Sequence, residues 1–148
     1  MTWPLIVGLG SDHGDDRAGW LAIKCLRARG YPESRLFSAR HPAELLDHAD
    51  NDGPLVICDA CLGNNSPGTI RSFDWPTDEL CYERPSGSHD LSLCDVLAIG
   101  RQLNCLPDRV SIWTLEGNSW NYGTVPSANV VSAADRVAGL IWEAYHHA

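Results

Sequence analysis

Hydrophobic residues along the chain form two kinds of segment, short continuous apolar runs and longer segments with apolar residues at every third or fourth position. The runs at 4–10 and 53–61 are rich in β-branched residues and predict strands that are buried in a sheet. The segments 17–30 and 127–148 repeat their apolar residues at helical spacing and predict amphipathic helices. The chain therefore alternates between strand and helix.

The remaining segments extend this alternation. Three further strands are predicted, a weaker one at 34–39, a half-exposed one at 68–74, and one rich in β-branched and aromatic residues at 108–117. Two further helices are predicted at 42–50 and 89–104. Two prolines, a glycine and many polar residues predict a loop at 75–89. This order of elements predicts a single domain over residues 1–148 with an α/β fold, a three-layer α/β/α sandwich around a mostly parallel sheet of about five strands.

Composition and charge narrow the classes of function. The chain has 148 residues, of which 44% are hydrophobic and 20% are charged, values typical of globular proteins. Eleven basic and nineteen acidic residues give a net charge of −8, which disfavours binding to nucleic acid or to an anionic membrane surface. The first apolar run is too short for a signal peptide or a membrane span, so we expect a cytoplasmic protein, and a monomer.

Six cysteines raise the question of disulfides or a metal site. A core of this size does not need disulfides, so we expect free thiols. Only Cys58 and Cys61 have the spacing of a redox or zinc pair, and no second pair of ligands at suitable spacing accompanies them. A structural zinc site is therefore not predicted.

Acidic and imidazole side chains are predicted to meet at one edge of the sheet. In open parallel sheets, ligands bind at the carboxyl ends of the strands. The segment after the first strand carries four such groups, Asp12, His13, Asp15 and Asp16, while Asp59 ends the third strand and His89 begins a helix. We predict that Asp16, Asp59 and His89 surround one point. Two carboxylates and one imidazole suit nickel, zinc, manganese or iron, and three protein ligands leave positions open for water or substrate.

Each of these residues also has a structural explanation. Carboxylates at a helix N-terminus are favoured by the helix dipole and by capping, which accounts for Asp15 and Asp16 whatever the function. His89 is equally suited to capping the helix that follows or to pairing with Asp90. Asp59 is harder to explain structurally, because burying an unpaired charge costs several kcal/mol. The convergence of all three residues is what favours a functional site.

The tryptophans divide between the core and the predicted loops. Trp20, Trp113 and Trp142 fall at core-facing positions of their elements. Trp75 and Trp120 are predicted in loops near the site, where they are placed to contact a partner.

Four segments resemble the motifs of the hydrogenase maturation endopeptidases, the proteases that trim the C-terminus of the large subunit of nickel–iron hydrogenases. GLGSDHGDDRAG, residues 8–19, resembles the N-terminal GLGN…GDD/E…G motif, and VICDAC, residues 56–61, resembles the strand-end V..DA motif. SGSHDLSL, residues 86–93, is similar to the S.H..L motif. TLEGNSWNYGTVPSANV, residues 114–130, is similar to the closing G.EP…G..LS..V segment.

This resemblance implies an activity and a set of ligands. It implies an endopeptidase that removes the C-terminal extension of a hydrogenase large-subunit precursor once nickel has been inserted, cutting after a basic residue. The metal-binding positions of the family fall on Asp16, Asp59 and His89, and the nickel is supplied by the substrate. Three positions depart from the family pattern: Ser11 replaces an asparagine, Arg17 replaces a small residue, and the proline that commonly follows the glutamate is absent after Glu116.

Two other functions fit the same residues. One is a metal-dependent hydrolase that keeps its own zinc or manganese and acts on a small molecule. The other is an accessory protein that binds nickel-loaded precursors without cutting them. No Ser-His-Asp or Cys-His arrangement is evident in the sequence, so a serine or cysteine protease is not predicted.

Overall fold

A five-stranded sheet forms the centre of the protein. The computed structural model describes residues 3–62, 65–77, 79, 91–119, 121 and 123–146. The strands are β1 (Leu5–Leu9), β2 (Leu36–Ala39), β3 (Leu55–Cys61), β4 (Ile70–Trp75) and β5 (Val110–Glu116). Their order across the sheet is β2-β1-β3-β5-β4, and every pairing is parallel except that of the edge strand β4 with β5. The predicted mostly parallel sheet of about five strands is confirmed.

Helices cover both faces of this sheet. The α-helices are α1 (Ala18–Ala28), α2 (Leu45–His48), α3 (Leu93–Gln102) and α4 (Ala128–Tyr145). Because side chains alternate along a strand, Ile6 packs in a core cluster with α1 and α4, whereas Val7 packs in a second cluster with α2 and α3. The protein is therefore the three-layer sandwich that the sequence predicts. Among the described helices, none combines the length and the apolar character needed to cross a bilayer.

The first helix lies unusually close to the sheet because glycines form the contact. A Cβ on Gly19 of α1 would overlap the carbonyl oxygens of Leu9 and Cys58. A Cβ on Gly8 of β1 would in turn overlap the carbonyl oxygen of Gly19. These motif glycines therefore allow the backbone of α1 to touch β1 and β3.

Helix α3 is shorter than the helix predicted at 89–104. Its buried positions are Leu93, Val96, Leu97 and Gly100, whereas Leu91 and Leu103, which lie outside it, are 50% and 62% exposed. The helix begins later than residue 89 because the Ser92 hydroxyl accepts a hydrogen bond from the backbone N–H of Asp95 at 3.1 Å. Leu91 consequently precedes the cap, and Leu103 follows the last turn.

The prediction that Trp75 lies in a loop near the site is wrong. Strand β4 continues through Trp75 and stops at Pro76, which has no N–H to donate to a sheet. Trp75 pairs with Val110, the first residue of β5, so it lies at the edge of the sheet opposite the carboxyl ends. The Arg101 guanidinium lies 4.7 Å from its ring centroid. Trp113 and Trp142 pack against the core as predicted, and Trp120 lies outside the described residues.

Replacing Gly19 with alanine tests the close approach of α1. We expect Gly19→Ala to lower the free energy of unfolding by about 2 kcal/mol or more, because the new methyl group overlaps two backbone carbonyls that cannot move independently. Gly139→Ala in α4 is the matched control, since its Cβ meets only the flexible Arg29 guanidinium at 3.3 Å. The control should gain up to about 1 kcal/mol from helix propensity. Urea denaturation measures both, and equal shifts in the two variants would contradict the proposed contact.

Candidate functional site

The carboxyl ends of the parallel strands meet the start of α1 at one junction. After β1 the chain forms a short 3-10 helix, Gly14–Arg17, which packs against β3 and leads directly into α1. Gly19, three residues after Asp16, lies against the carbonyl oxygen of Cys58, the residue that precedes Asp59. Asp16 and Asp59 therefore belong to the same junction, and they are only 2% and 0% exposed.

Asp16 is held by Ser11, one of the residues that depart from the motifs of the hydrogenase maturation endopeptidases. The Ser11 hydroxyl donates a short hydrogen bond of 2.6 Å to Oδ2 of Asp16. The backbone N–H of Asp16 donates to the His13 carbonyl at 3.0 Å, and that of Ser11 donates to the Asp16 carbonyl at 3.3 Å. The loop between β1 and α1 thus fixes both the backbone and the carboxylate of Asp16.

Asp59 lies on the face of the sheet covered by α2 and α3. It alternates with Ile57, whose side chain belongs to the core cluster on that face, and it pairs with Thr114 of the neighbouring β5. Thr114 and Glu116 share the same face of β5 with Ile112, and both are buried. Neither residue is among the predicted site residues. The signal for them in the sequence is that Ile112, Thr114 and Glu116 alternate at the end of a predicted strand and therefore share one face.

Glu116 also receives a hydrogen bond from a thiol. Cys61 pairs with Glu116 across β3 and β5, and its Sγ donates to Oε1 at 3.7 Å. Burial raises the pKa of the Cys61 thiol to about 12, and the nearby Glu116 carboxylate acts in the same direction. Burial likewise raises the pKa of the Cys58 thiol to about 12.

Cys58 and Cys61 do not form a two-cysteine site. Cys58 packs with α1 and α4. Cys61 lies two residues after Asp59 in the same strand, so its side chain faces the other helix layer. Two side chains on opposite faces of one strand cannot bind the same metal ion. These thiols are free, as are those of Cys25 and Cys105, in agreement with the expectation from the sequence.

Asp15 is a structural carboxylate that joins two connections of the sheet. It accepts hydrogen bonds from the backbone N–H groups of Asn118, Ser119 and Ser127 at 2.6, 3.0 and 2.6 Å. The Ser127 hydroxyl donates to it at 3.1 Å and makes no capping bond to α4, although Ser127 occupies the N-cap position of that helix. The backbone N–H of Asp15 completes the link by donating to the Ser119 carbonyl at 2.7 Å. The segment between β5 and α4 is thereby fastened beside Asp16.

His89, the third predicted ligand, lies outside the described residues. Within the described part of the chain, no three His, Cys, Asp or Glu side chains are arranged to hold a metal ion. The described chain resumes two residues later at Leu91, ahead of α3. Asn104, which follows α3, lines a cavity with Pro54 and Arg109 at the amino ends of β3 and β5, so α3 begins towards the opposite, carboxyl edge.

Solved structures provide the informative comparison, since no family model and no curated protein matches the sequence. The hydrogenase maturating endopeptidase HybD from Escherichia coli is 19% identical with a TM-score of 0.76, over 99% of this chain and 93% of that one. The [NiFe] hydrogenase maturation protease HybD from Thermococcus kodakarensis is 17% identical with a TM-score of 0.74, over 97% and 99%. HycI from the same organism is 20% identical with a TM-score of 0.70, over 96% and 91%. The chain therefore has the fold of these maturation proteases, as the motif resemblance implies.

Replacing Asp15 tests its structural role. We expect Asp15→Asn to lower the free energy of unfolding by about 2 to 4 kcal/mol, because an amide group would face backbone N–H donors that then lack an acceptor. Asp135→Asn is the control, since Asp135 is exposed and pairs with Arg29 at 3.4 Å, and it should change stability by less than about 0.5 kcal/mol. Urea denaturation gives both values. Similar small effects in the two variants would show that Asp15 does not fasten the two connections.

The raised pKa of Cys61 predicts a loss of stability in alkali. Its usual pKa of 9.0 in the unfolded chain lies below the value of about 12 in the folded protein, so the unfolded state releases the proton first as the pH rises. Stability from this thiol is full below pH 9 and is lost between pH 9 and 12. Between pH 8 and pH 10, we expect wild type to lose about 1.4 kcal/mol more than Cys61→Ser, which keeps a donor towards Glu116. Parallel curves of unfolding free energy against pH would contradict this assignment.

Proposed function

We propose that this protein is an endopeptidase that removes the C-terminal extension of a nickel–iron hydrogenase large-subunit precursor after nickel insertion. The observation that carries the proposal is the burial of two carboxylates, Asp16 and Asp59, in one junction at the carboxyl edge of the sheet. Both occupy the acidic positions of motifs that resemble those of the hydrogenase maturation endopeptidases. Proteins that share the fold over nearly the whole chain are themselves named hydrogenase maturation proteases, which supports the same reaction class.

The burial of two acidic groups suits recognition of a cation. Removing like charges from water is unfavourable unless hydrogen bonds or a positive charge compensate for the lost solvation. The Ser11 hydroxyl provides part of this compensation for Asp16. We infer that nickel carried by the precursor binds at these carboxylates, with His89 as the third protein donor, because imidazole and carboxylate together suit this metal.

In this proposal, the metal belongs to the substrate and serves to position it. Asp16, Asp59 and His89 would bind nickel that the precursor already holds, which places the adjoining scissile amide at the junction. Hydrolysis then requires water to attack the carbonyl carbon, the C–N bond to break, and a proton to reach the leaving amine. A carboxylate or imidazole at the junction is suited to accept the proton from water and return it to the nitrogen. Proximity of the amide supplies much of the rate advantage.

Processing of the precursor tests this function. The nickel-loaded large-subunit precursor of the source organism is incubated with wild type, Asp16→Asn, Asp59→Asn or His89→Ala, and the released C-terminal peptide is measured by mass spectrometry. We expect each variant to cut at least about 100-fold more slowly than wild type. Asp74→Asn is the matched control, because Asp74 is an exposed acid of β4 that pairs with Ser111 near the opposite edge of the sheet. It should cut at the wild-type rate.

Four results would contradict parts of this proposal. Wild-type rates in Asp59→Asn or His89→Ala would remove those residues from the site. Cleavage of nickel-free precursor would refute recognition through the metal. Zinc or manganese bound tightly and in equal proportion to purified protein would instead indicate a hydrolase with its own metal, and binding without cleavage would indicate an accessory protein.

A further inference from the structure

Two arginines stand together at the rim of the candidate site. Arg17 directly follows Asp16, and Arg40 directly follows β2 at the same carboxyl edge of the sheet. Nη2 of Arg17 lies 4.0 Å from Oδ1 of Asp12, and Nη2 of Arg40 lies 3.4 Å from Oδ2 of the same carboxylate. Two cations at the rim therefore share one carboxylate.

The position of Arg40 is set by an aromatic ring. Its guanidinium carbon lies 5.0 Å from the ring centroid of Trp20, within the range of a cation–π interaction. The indole N–H of Trp20 is itself fixed, since it donates to the Ala39 carbonyl at 3.0 Å. Arg40 is therefore preorganised at the rim by more than its contact with Asp12.

Asp12 leaves much of the hydrogen-bonding capacity of the two arginines unused. Close ion pairs have N–H···O lengths of about 2.7 to 2.9 Å. The pair of Arg27 and Glu33 at the far end of α1 reaches 2.7 and 3.0 Å through two bonds. The contacts of Arg17 and Arg40 with the Asp12 carboxylate are longer, at 4.0 and 3.4 Å, and Nη2 of Arg17 also donates to the Asp12 carbonyl at 3.4 Å. The Asp12 side chain is also 54% exposed, so a carboxylate of another molecule can displace it from the two arginines.

We propose that Arg17 and Arg40 bind a carboxylate of the segment that the site removes, and that Asp12 occupies this position until the substrate arrives. This inference rests on the proposed function, because it assigns a recognition element to the same substrate. The anion is either the terminal carboxylate of the precursor or an acidic side chain within its extension. Both present the same planar group, which matches the forked donors of arginine.

This arrangement predicts opposite effects for the two sides of the ion pair. Removing an arginine removes a ligand for the substrate carboxylate and weakens binding. Removing the charge of Asp12 removes a competitor and strengthens binding. An ion pair with only a structural role would change binding in the same direction whichever partner is removed.

Binding of a synthetic peptide tests the inference without requiring cleavage. The peptide has the sequence of the precursor's C-terminal extension and a fluorescent label at its N-terminus, and its Kd is measured by fluorescence anisotropy. We expect Arg17→Gln and Arg40→Gln each to raise Kd about fivefold, and Asp12→Asn to lower it about threefold. Arg27→Gln is the matched control, because it removes a surface arginine from an ion pair far from the rim, and it should leave Kd unchanged. Thermal denaturation verifies that each variant is folded.

Two modified peptides distinguish the sources of the carboxylate. If the terminal carboxylate is bound, the C-terminal amide should bind wild type about fivefold more weakly and lose its sensitivity to Arg17→Gln and Arg40→Gln. If an acidic side chain is bound, replacement of the acids by amides should give that result instead. Wild-type binding that is absent, or that neither modification weakens, would overturn the inference.

The outcomes also separate this inference from the proposed function. Cleavage of the precursor, with Arg17→Gln and Arg40→Gln equal to Arg27→Gln in peptide binding, would refute the carboxylate site and leave the peptidase function intact. Peptide binding with the predicted pattern, without cleavage of the nickel-loaded precursor, would support the carboxylate site and refute the peptidase function.

Discussion

The contact of α1 with the carbonyl oxygens of β1 and β3 is the constraint on which the site depends. Only a residue without a side chain allows the helix backbone to lie against Leu9 and Cys58, and Gly19 occupies that position. The consequence is chemical as well as structural, because the 3-10 helix that leads into α1 carries Asp16 and the residue of β3 that follows Cys58 is Asp59. Two acids separated by more than forty positions in the sequence therefore share one junction.

Adjacent acids in this junction have different environments and different roles. Asp15 accepts hydrogen bonds from three backbone N–H groups and one hydroxyl, all supplied by the connection between β5 and α4. Its carboxylate therefore has a structural role, because these hydrogen bonds join the loop after β1 to the loop after β5. Asp16 receives the Ser11 hydroxyl and lies beside β3, where Asp59 is buried. Asp15 thus fixes the loop that also carries Asp16, the carboxylate that we propose recognises the substrate.

The general fold could be predicted from the sequence because it follows from local periodicity and from the preference for right-handed, parallel connections. The strand β3 and the helix α4 were found in this way, within a few residues of their observed bounds. The direction and the end of β4 could not be predicted in this way. The direction depends on antiparallel pairing with β5, and the strand ends at Pro76. The start of α3 was set by Ser92, a capping choice that periodicity does not detect.

The site was predictable only in part for the same reason. The position of Asp59 at the end of an apolar strand indicates burial, and this was recognisable in the sequence. The partners of Asp15 lie more than a hundred residues away, so only the folded chain reveals them. Which side chains of β5 share a face with Asp59 is known only from the pairing of β5 with β3, and this pairing is what identifies Thr114 and Glu116.

Because Cys58 and Asp59 face opposite sides of the sheet, the register of β3 determines which side receives the acid. Successive residues of a strand buried on both sides present an apolar thiol to one helix layer and an acid to the other. Sliding β3 by a single position against its neighbours would exchange the two, placing a negative charge among the alanines and valines of α4. The loops at either end of this strand can therefore vary in length during evolution. A one-residue insertion within the strand would instead disrupt the packing against α4 and remove the acid from the face where it now lies.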